Sequence, residues 1–158
     1  MPELMIAATW GHVKDVGDLL KKGVAVDEKD SFGFTPLMGA CHRGLSPEIV
    51  KLLLERGASA DATTDKGFTA LMIAGEKGRM DVLRLILAEN PDVNASDQFG
   101  LTALMRAAQL GHREVVELLL DKKADANAKT KKDLTALDYA VKGRHADVAA
   151  LLREHGAK

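Results

Sequence analysis

"GFTPLMGA", residues 33–40, returns three more times in this chain: as "GFTALMIA" at 67–74, "GLTALMRA" at 100–107 and "DLTALDYA" at 133–140. The threonines at its third place, Thr35, Thr69, Thr102 and Thr135, are 34, 33 and 33 residues apart. A degenerate copy, "PELMIA" at 2–7, opens the chain 33 residues before the first full one. Behind each copy runs a second apolar segment: "VGDLL", "IVKLLLERGA", "VLRLILAENP", "VVELLLDKKA" and "VAALLREHGA". Five units follow, at 1–29, 30–63, 64–96, 97–129 and 130–158, forming one domain over 1–158. A period of this size marks stacked supersecondary units, none of which buries its apolar face alone.

The residues of one unit explain its local structure. Gly33, Gly67 and Gly100 stand where a tight turn needs positive φ, and Asp133 fills the fourth such place. Two residues on, the threonine is a good N-cap, and Pro36 suits the first helical position. The first helix is rich in small residues, as in Ala40, Ala74, Ala107, Ala108 and Ala140, which lets neighbours approach closely. Gly11, Gly44, Gly78 and Gly111 then break it. The second helix carries Val115, Val116, Leu118, Leu119 and Leu120 or their counterparts at helical spacing. Gly23 and Gly57 close it as left-handed C-caps, and Asn90 substitutes for them. Lys123 at the same place is a poorer choice, with no account in the sequence. An extra residue in "GLSPEIV" (44–50) falls in the turn between the helices, and Ser46, Pro47 and Glu48 make a helix start behind it.

The pattern G-x-T-[PA]-L, then Gly, then V-V-x-L-L-L, then "ADANA" (124–128) or "DVNA" (92–95) resembles the ankyrin repeat family over essentially the whole chain. The resemblance implies an all-α fold, a solenoid of stacked helix–turn–helix units with projecting β-hairpin fingers. The family's signature histidine is replaced by Met5, Met38, Met72 and Met105, and by Asp138 in the last unit. A methionine ladder reads as soft core packing, with a Met-lined partner groove as the alternative. Val115 and Leu118 of the fourth unit become Asp15 and Asp18 in the first, while Val116 and Leu120 become Ala149 and Arg153 in the last. The end units thus read as capping repeats of a complete array.

Bulk composition narrows the function classes. The 158 residues are 46% hydrophobic and 4% aromatic, with a formal net charge of −1. That balance builds no global field for nucleic acid, membrane or an acidic substrate. A lone cysteine, Cys41, fits a reducing compartment and reads as a buried, inert thiol. With no signal peptide and no apolar run of about 18 residues, the chain reads as soluble and cytoplasmic. No metal-binding, phosphate-binding or nucleophile motif is present, and Asp and Glu appear scattered over solvent faces. His12, His112 and His145 share one place in the repeat, where the family carries a structural histidine. The expectation is a non-enzyme without cofactor, metal or small-molecule substrate.

All four phenylalanines, Phe32, Phe34, Phe68 and Phe99, fall beside a turn glycine, and Leu101 and Leu134 take the Phe34 and Phe68 place in later units. Trp10 ends the first helix of unit one, at the place of Arg43, Lys77, Leu110 and Gly143. The resemblance makes finger tips and inner-helix ends the walls of a concave groove. Carried over by position, the partner-binding set is Trp10, Phe32, Phe34, Arg43, Lys66, Phe68, Lys77, Phe99, Leu101, Leu110 and Leu134. Ser31, His42, Glu76, Gln98 and Gln109 complete its rim. An aromatic centre with an arginine and a polar rim is hot-spot composition. Recurrence of Phe34, Phe68, Leu101 and Leu134 fits fingers packing on one another as well as it fits binding. Trp10 reads either as a groove residue or as a shield for the first unit. The expectation is a monomeric protein-interaction module acting as inhibitor, adaptor or scaffold, with self-association into a homodimer as the alternative. A remoter one is nucleic acid or an acidic partner at Lys122, Lys123, Lys129, Lys131 and Lys132, where Asp121, Asp125 and Asp133 interleave.

Overall fold

The computed structural model describes residues 1–43 and 46–158. Ten α-helices occur among them, two per unit: α1 Glu3–Trp10, α2 Val13–Lys21, α3 Pro36–Arg43, α4 Pro47–Glu55, α5 Ala70–Lys77, α6 Met80–Ala88, α7 Ala103–Leu110, α8 Arg113–Asp121, α9 Ala136–Lys142 and α10 Ala146–Glu154. The odd-numbered helices stack on one another in order, and the even-numbered ones form a second layer behind them. Gly44 and the inserted turn residue lie outside the described residues. Pro47 does open α4, although the Ser46 side chain makes no cap bond.

The repeated threonine starts each inner helix as its chemistry predicts. Thr35, Thr69, Thr102 and Thr135 accept at Oγ1 from the backbone N–H three residues on, at 3.2–3.4 Å. Asp138 completes a capping box, accepting from the Thr135 N–H at 2.8 Å and from its hydroxyl at 3.0 Å. These bonds hold its carboxyl below the usual carboxylate range. The signature methionines Met5, Met38, Met72 and Met105 are buried in the core between helices. Cys41 is fully buried, and burial pushes its thiol up to about 12.

Consecutive units are tied by polar links at fixed places. His112 donates from Nε2 to the Glu76 carbonyl at 2.9 Å, and His145 to the Gln109 carbonyl at 3.0 Å, each reaching back one unit. A Cβ on Gly78 would lie 2.9 Å from the His112 ring, and one on Gly111 would overlap His145, so glycine there makes room for the ring. Near the second helices' ends, Asp27, Asp61, Asn94 and Asn127 accept from the N–H groups of Ser59, Asp92, Asp125 and Lys158 at 2.7–3.1 Å.

Each finger is a turn closed by paired bonds. Asp30, Thr64, Asp97 and Thr130 donate their backbone N–H to the carbonyls of Phe34, Phe68, Leu101 and Leu134. The side chains of those same four residues accept N–H groups from inside the turn. The expected β-hairpins are shorter than strands. Among the described residues one isolated bridge, Ser96 with Thr102, is present, because each turn leads within two residues into a helix cap. The fingers bond side by side, through Asp65 N–H to Phe32 O at 3.2 Å, Gln98 N–H to Lys66 O at 2.9 Å and Lys131 N–H to Phe99 O at 3.0 Å.

Candidate functional site

The finger row and the C-terminal ends of the inner helices carry four large exposed apolar side chains, spread over units one, two and four. Phe32 is 67% exposed, Phe99 57%, Trp10 51% and Leu110 48%. Other exposed large apolars, Met1, Ile6, Val13 and Val141, belong to the first and last units. In a chain whose leucines and methionines are otherwise mostly inside, that concentration is informative.

The two sides of the turn glycine behave differently. Before it, Phe32 and Phe99 project from the finger with only their backbone engaged, each N–H donating to the finger's own aspartate at 2.8–2.9 Å. After it, Phe34, Phe68, Leu101 and Leu134 are half-buried. Phe34 and Leu101 pack against the core, and Phe68 lies under the Arg106 guanidinium, 4.4 Å from its ring centre. The position left open by sequence therefore has a packing role. Phe34 and Phe68 still present part of their surface, because with Phe32, Thr64, Asp65 and Lys66 they line a cleft of about 350 Å³ between fingers. A second cleft of about 260 Å³ shares Phe32 and Phe34 and continues to Met5, Thr9, Gly39 and His42.

Trp10 is stacked on its neighbour: the Arg43 guanidinium sits 4.1 Å from the ring centre, joining units one and two at the groove edge. Lys66 and Lys77 are exposed, with Lys77 Nζ 4.0 Å from Glu76. Thus Trp10, Arg43, Phe32, Lys66, Lys77, Phe99 and Leu110 reach solvent, while Phe34, Phe68, Leu101 and Leu134 do so only in part.

Sequence reading missed the role of Arg106. The Asp97 side chain is fully buried and Arg106 is 13% exposed; Arg106 Nη2 donates to Asp97 Oδ2, and Nη1 to Glu76 Oε2 at 3.3 Å. Asp97 Oδ1 meanwhile takes the Phe99 and Leu101 N–H groups. The view of Asp and Glu as scattered over solvent faces is corrected here, because a guanidinium compensates Asp97 inside. This centre holds one finger, one inner helix and the preceding Phe68 in place. A single arginine in "GLTALMRA" against Gly, Ile and Tyr in its sister motifs was the available signal.

The C-terminal lysines do not form one patch on one element. Lys122 and Lys123 follow the last residue of α8, whereas Lys131 and Lys132 sit on the last finger and Lys129 is 3.7 Å from Asp133. No group of three or more His, Cys, Asp or Glu side chains is gathered as metal ligands among the described residues. No helix among them is long and apolar enough to cross a membrane.

A family model described as ankyrin repeats (3 copies) matches residues 4–97 and 76–158. Among curated proteins the chain is similar to "Ankyrin repeat, SAM and basic leucine zipper domain-containing protein 1". For the Carollia perspicillata protein the match is 36% identical over 72 residues, 46% of this chain and 15% of the relative. For Pongo abelii it is 38% over 72 residues, with the same shares. For Homo sapiens it is 43% over 60 residues, 38% of this chain and 12% of the relative. The matched segment thus spans about 15% of the length of the first of these relatives.

Proposed function

Since the chain belongs to the ankyrin repeat family, whose repeats are in general protein–protein interaction modules, we propose that it is a non-catalytic binding protein that holds a protein partner in the groove between fingers and inner-helix ends. The observation that carries the reading is the exposure of Phe32, Phe99, Trp10 and Leu110, together with two clefts that both take Phe32 and Phe34 into their walls. Solvated aromatic surface has a hydrophobic cost that a partner removes, at about 25 cal/mol per Å². Repeats stacked about 10 Å apart give a groove about 40 Å long, which accommodates a standard interface of about 800 Å² per partner. The role is that of an inhibitor, adaptor or scaffold, exerted by a monomer in the cytoplasm, where a buried reduced Cys41 is at home.

Affinity capture from a lysate of the source cells tests this, comparing wild type with a Trp10→Ser, Phe32→Ser, Phe99→Ser triple variant of matched melting temperature. The reading expects a protein retained by wild type and lost from the variant. Equal retention by both contradicts it and moves the site to the outer helices or to Lys122–Lys132. Sedimentation over a concentration series checks the monomer; dimerisation abolished by the triple variant would assign the groove to a second copy.

A further inference from the structure

We propose that copies of this chain stack end to end, the outer face of unit one docking on the outer face of unit five of a second copy. This goes beyond the groove reading and leaves the groove open, since neither face includes Phe32, Phe99 or Leu110.

The interior joints show which places look toward a neighbouring unit. A Cβ on Gly75 would lie 3.8 Å from Ala103 Cβ and 3.9 Å from Val115, and one on Gly17 would lie 3.9 Å from Leu52. Counted along the helices, the backward-looking places of Ala103, Val115 and Leu52 are held in unit one by Glu3, Asp15 and Asp18. The forward-looking places of Gly75 and Gly17 are held in unit five by Val141 and Ala150. Among the described residues no further unit covers either face.

The two faces are opposite in charge and alike in size. Unit one's is a hollow of about 360 Å³ whose walls hold Glu3, Asp15 and Asp18 against Lys22 and His12. Unit five's is a hollow of about 370 Å³ whose walls hold Arg144, Arg153 and His145 and no carboxylate. Asp138 is engaged in its own helix cap, and Asp147 and Glu154 lie outside that lining. Glu3, Asp18, Arg144 and Arg153 have no ion-pair partner among the described residues, and Asp15 has only His12, at 3.5 Å. Each hollow also presents an exposed apolar side chain, Ile6 at 41% and Val141 at 54%.

The aspartates that bar an apolar neighbour from unit one suit a cationic one, and this chain's own far end is cationic. Carried over from the interior joints, Asp18 comes over Ala150, one turn from Arg153, while Asp15 comes beside Val141 and Arg144. The joint is not a copy of the interior ones. Arg144 stands at the place of Gly111, where glycine makes room for the next unit's histidine ring, so the histidine link is absent and ion pairs carry the contact. A small, charged contact of this kind is weak. At micromolar concentration the chain is therefore the monomer of the groove reading, and stacks form as it nears about 1 mM.

Sedimentation equilibrium of the full chain over about 0.01 to 1 mM protein, at about 0.05 M salt, tests this. The weight-average mass should rise past that of a dimer without a plateau, because a head-to-tail contact leaves both ends open. It should return to the monomer's at about 0.5 M salt. The Asp15→Lys, Asp18→Lys variant and the Arg144→Asp, Arg153→Glu variant should each stay monomeric at about 1 mM, while their equimolar mixture associates as wild type does, each reversed face finding its opposite. All four positions are exposed, and equal melting temperatures show that the fold is kept. Where a double variant melts early, Asp18→Lys and Arg153→Glu alone make the same comparison. The Trp10→Ser, Phe32→Ser, Phe99→Ser variant should associate as wild type does. A wild type that stays monomeric throughout, a plateau at the dimer, association indifferent to the reversals, or a mixture no more associated than its parts overturns the proposal. Loss of association in the triple variant overturns it as well, and places the second copy in the groove.

Discussion

Units two to five bend their backbone into the left-handed region both at the finger turn and at the end of the second helix, and these two places tolerate substitution very differently. At the finger turn, Gly33, Gly67 and Gly100 have φ of 79–81°, and an added Cβ would come within 2.8–3.1 Å of the next finger's backbone. At the end of the second helix, Gly23 and Gly57 have φ of 82° and 85°, yet a Cβ would meet nothing within 4 Å. The later units follow that difference. Asn90 and Lys123 replace glycine at the helix end, at φ 52° and 68°, where strain is the sole penalty. At the finger turn a replacement occurs only in the last unit, as Asp133, whose side chain is 88% exposed. A glycine required by dihedral angle alone is replaceable; one required by angle and by a neighbour is not. Lys123, unexplained by sequence, becomes intelligible: its place asks for a left-handed residue and nothing else.

The largest effect separates those two glycines directly. Gly100→Ala should cost about 2–4 kcal/mol, adding a clash with Thr130 to the left-handed penalty, whereas Gly57→Ala should cost about 1 kcal/mol. Urea titration of both checks this, and equal losses break the comparison. The two sides of the finger glycine come next. Phe34→Ser should lose about 1–2 kcal/mol of unfolding free energy, since its ring is half-buried against the core, and Phe32→Ser under about 0.5 kcal/mol. Comparable losses would mean that Phe32 also holds the fold. A last effect has the opposite sign: Lys123→Gly should stabilise by about 0.5–1 kcal/mol, seen as a rise of about 1–4 °C in Tm.

Cys41 supplies a pH test of the core. Its thiol is raised above the unfolded value, so its contribution is fully present below about pH 9 and is lost as pH rises from there toward about 12. Native protein at pH 8 should leave Cys41 unreacted with a thiol reagent on a timescale over which urea-unfolded protein reacts completely.

Legibility followed the range of each interaction. Threonine caps, Pro36 at a helix start, the left-handed glycines and the buried methionines depend on neighbours within a turn or on a repeated pattern, so a linear reading reached them. Arg106 did not announce itself, because its meaning needs Asp97 nine residues before it and Glu76 thirty before it brought to one point. The split between Phe32 and Phe34 was half legible: irregular recurrence set Phe32 and Phe99 apart, but only the stacked fingers show which side of the turn is covered. The turn between the two helices of unit five also departs from the pattern. α9 stops at Lys142, and Arg144 rather than a glycine takes the left-handed turn at φ 61°.

The account's central claim is that Trp10, Phe32 and Phe99 are displayed for a partner and are not needed by the fold. The direct measurement is the unfolding free energy of the Trp10→Ser, Phe32→Ser, Phe99→Ser variant, by urea titration beside wild type. The account predicts a loss under about 2 kcal/mol, three exposed sites at about 0.5 kcal/mol each plus the Arg43 stacking on Trp10. A loss of about 4 kcal/mol or more would mean that these aromatics hold the repeats together, and would contradict it.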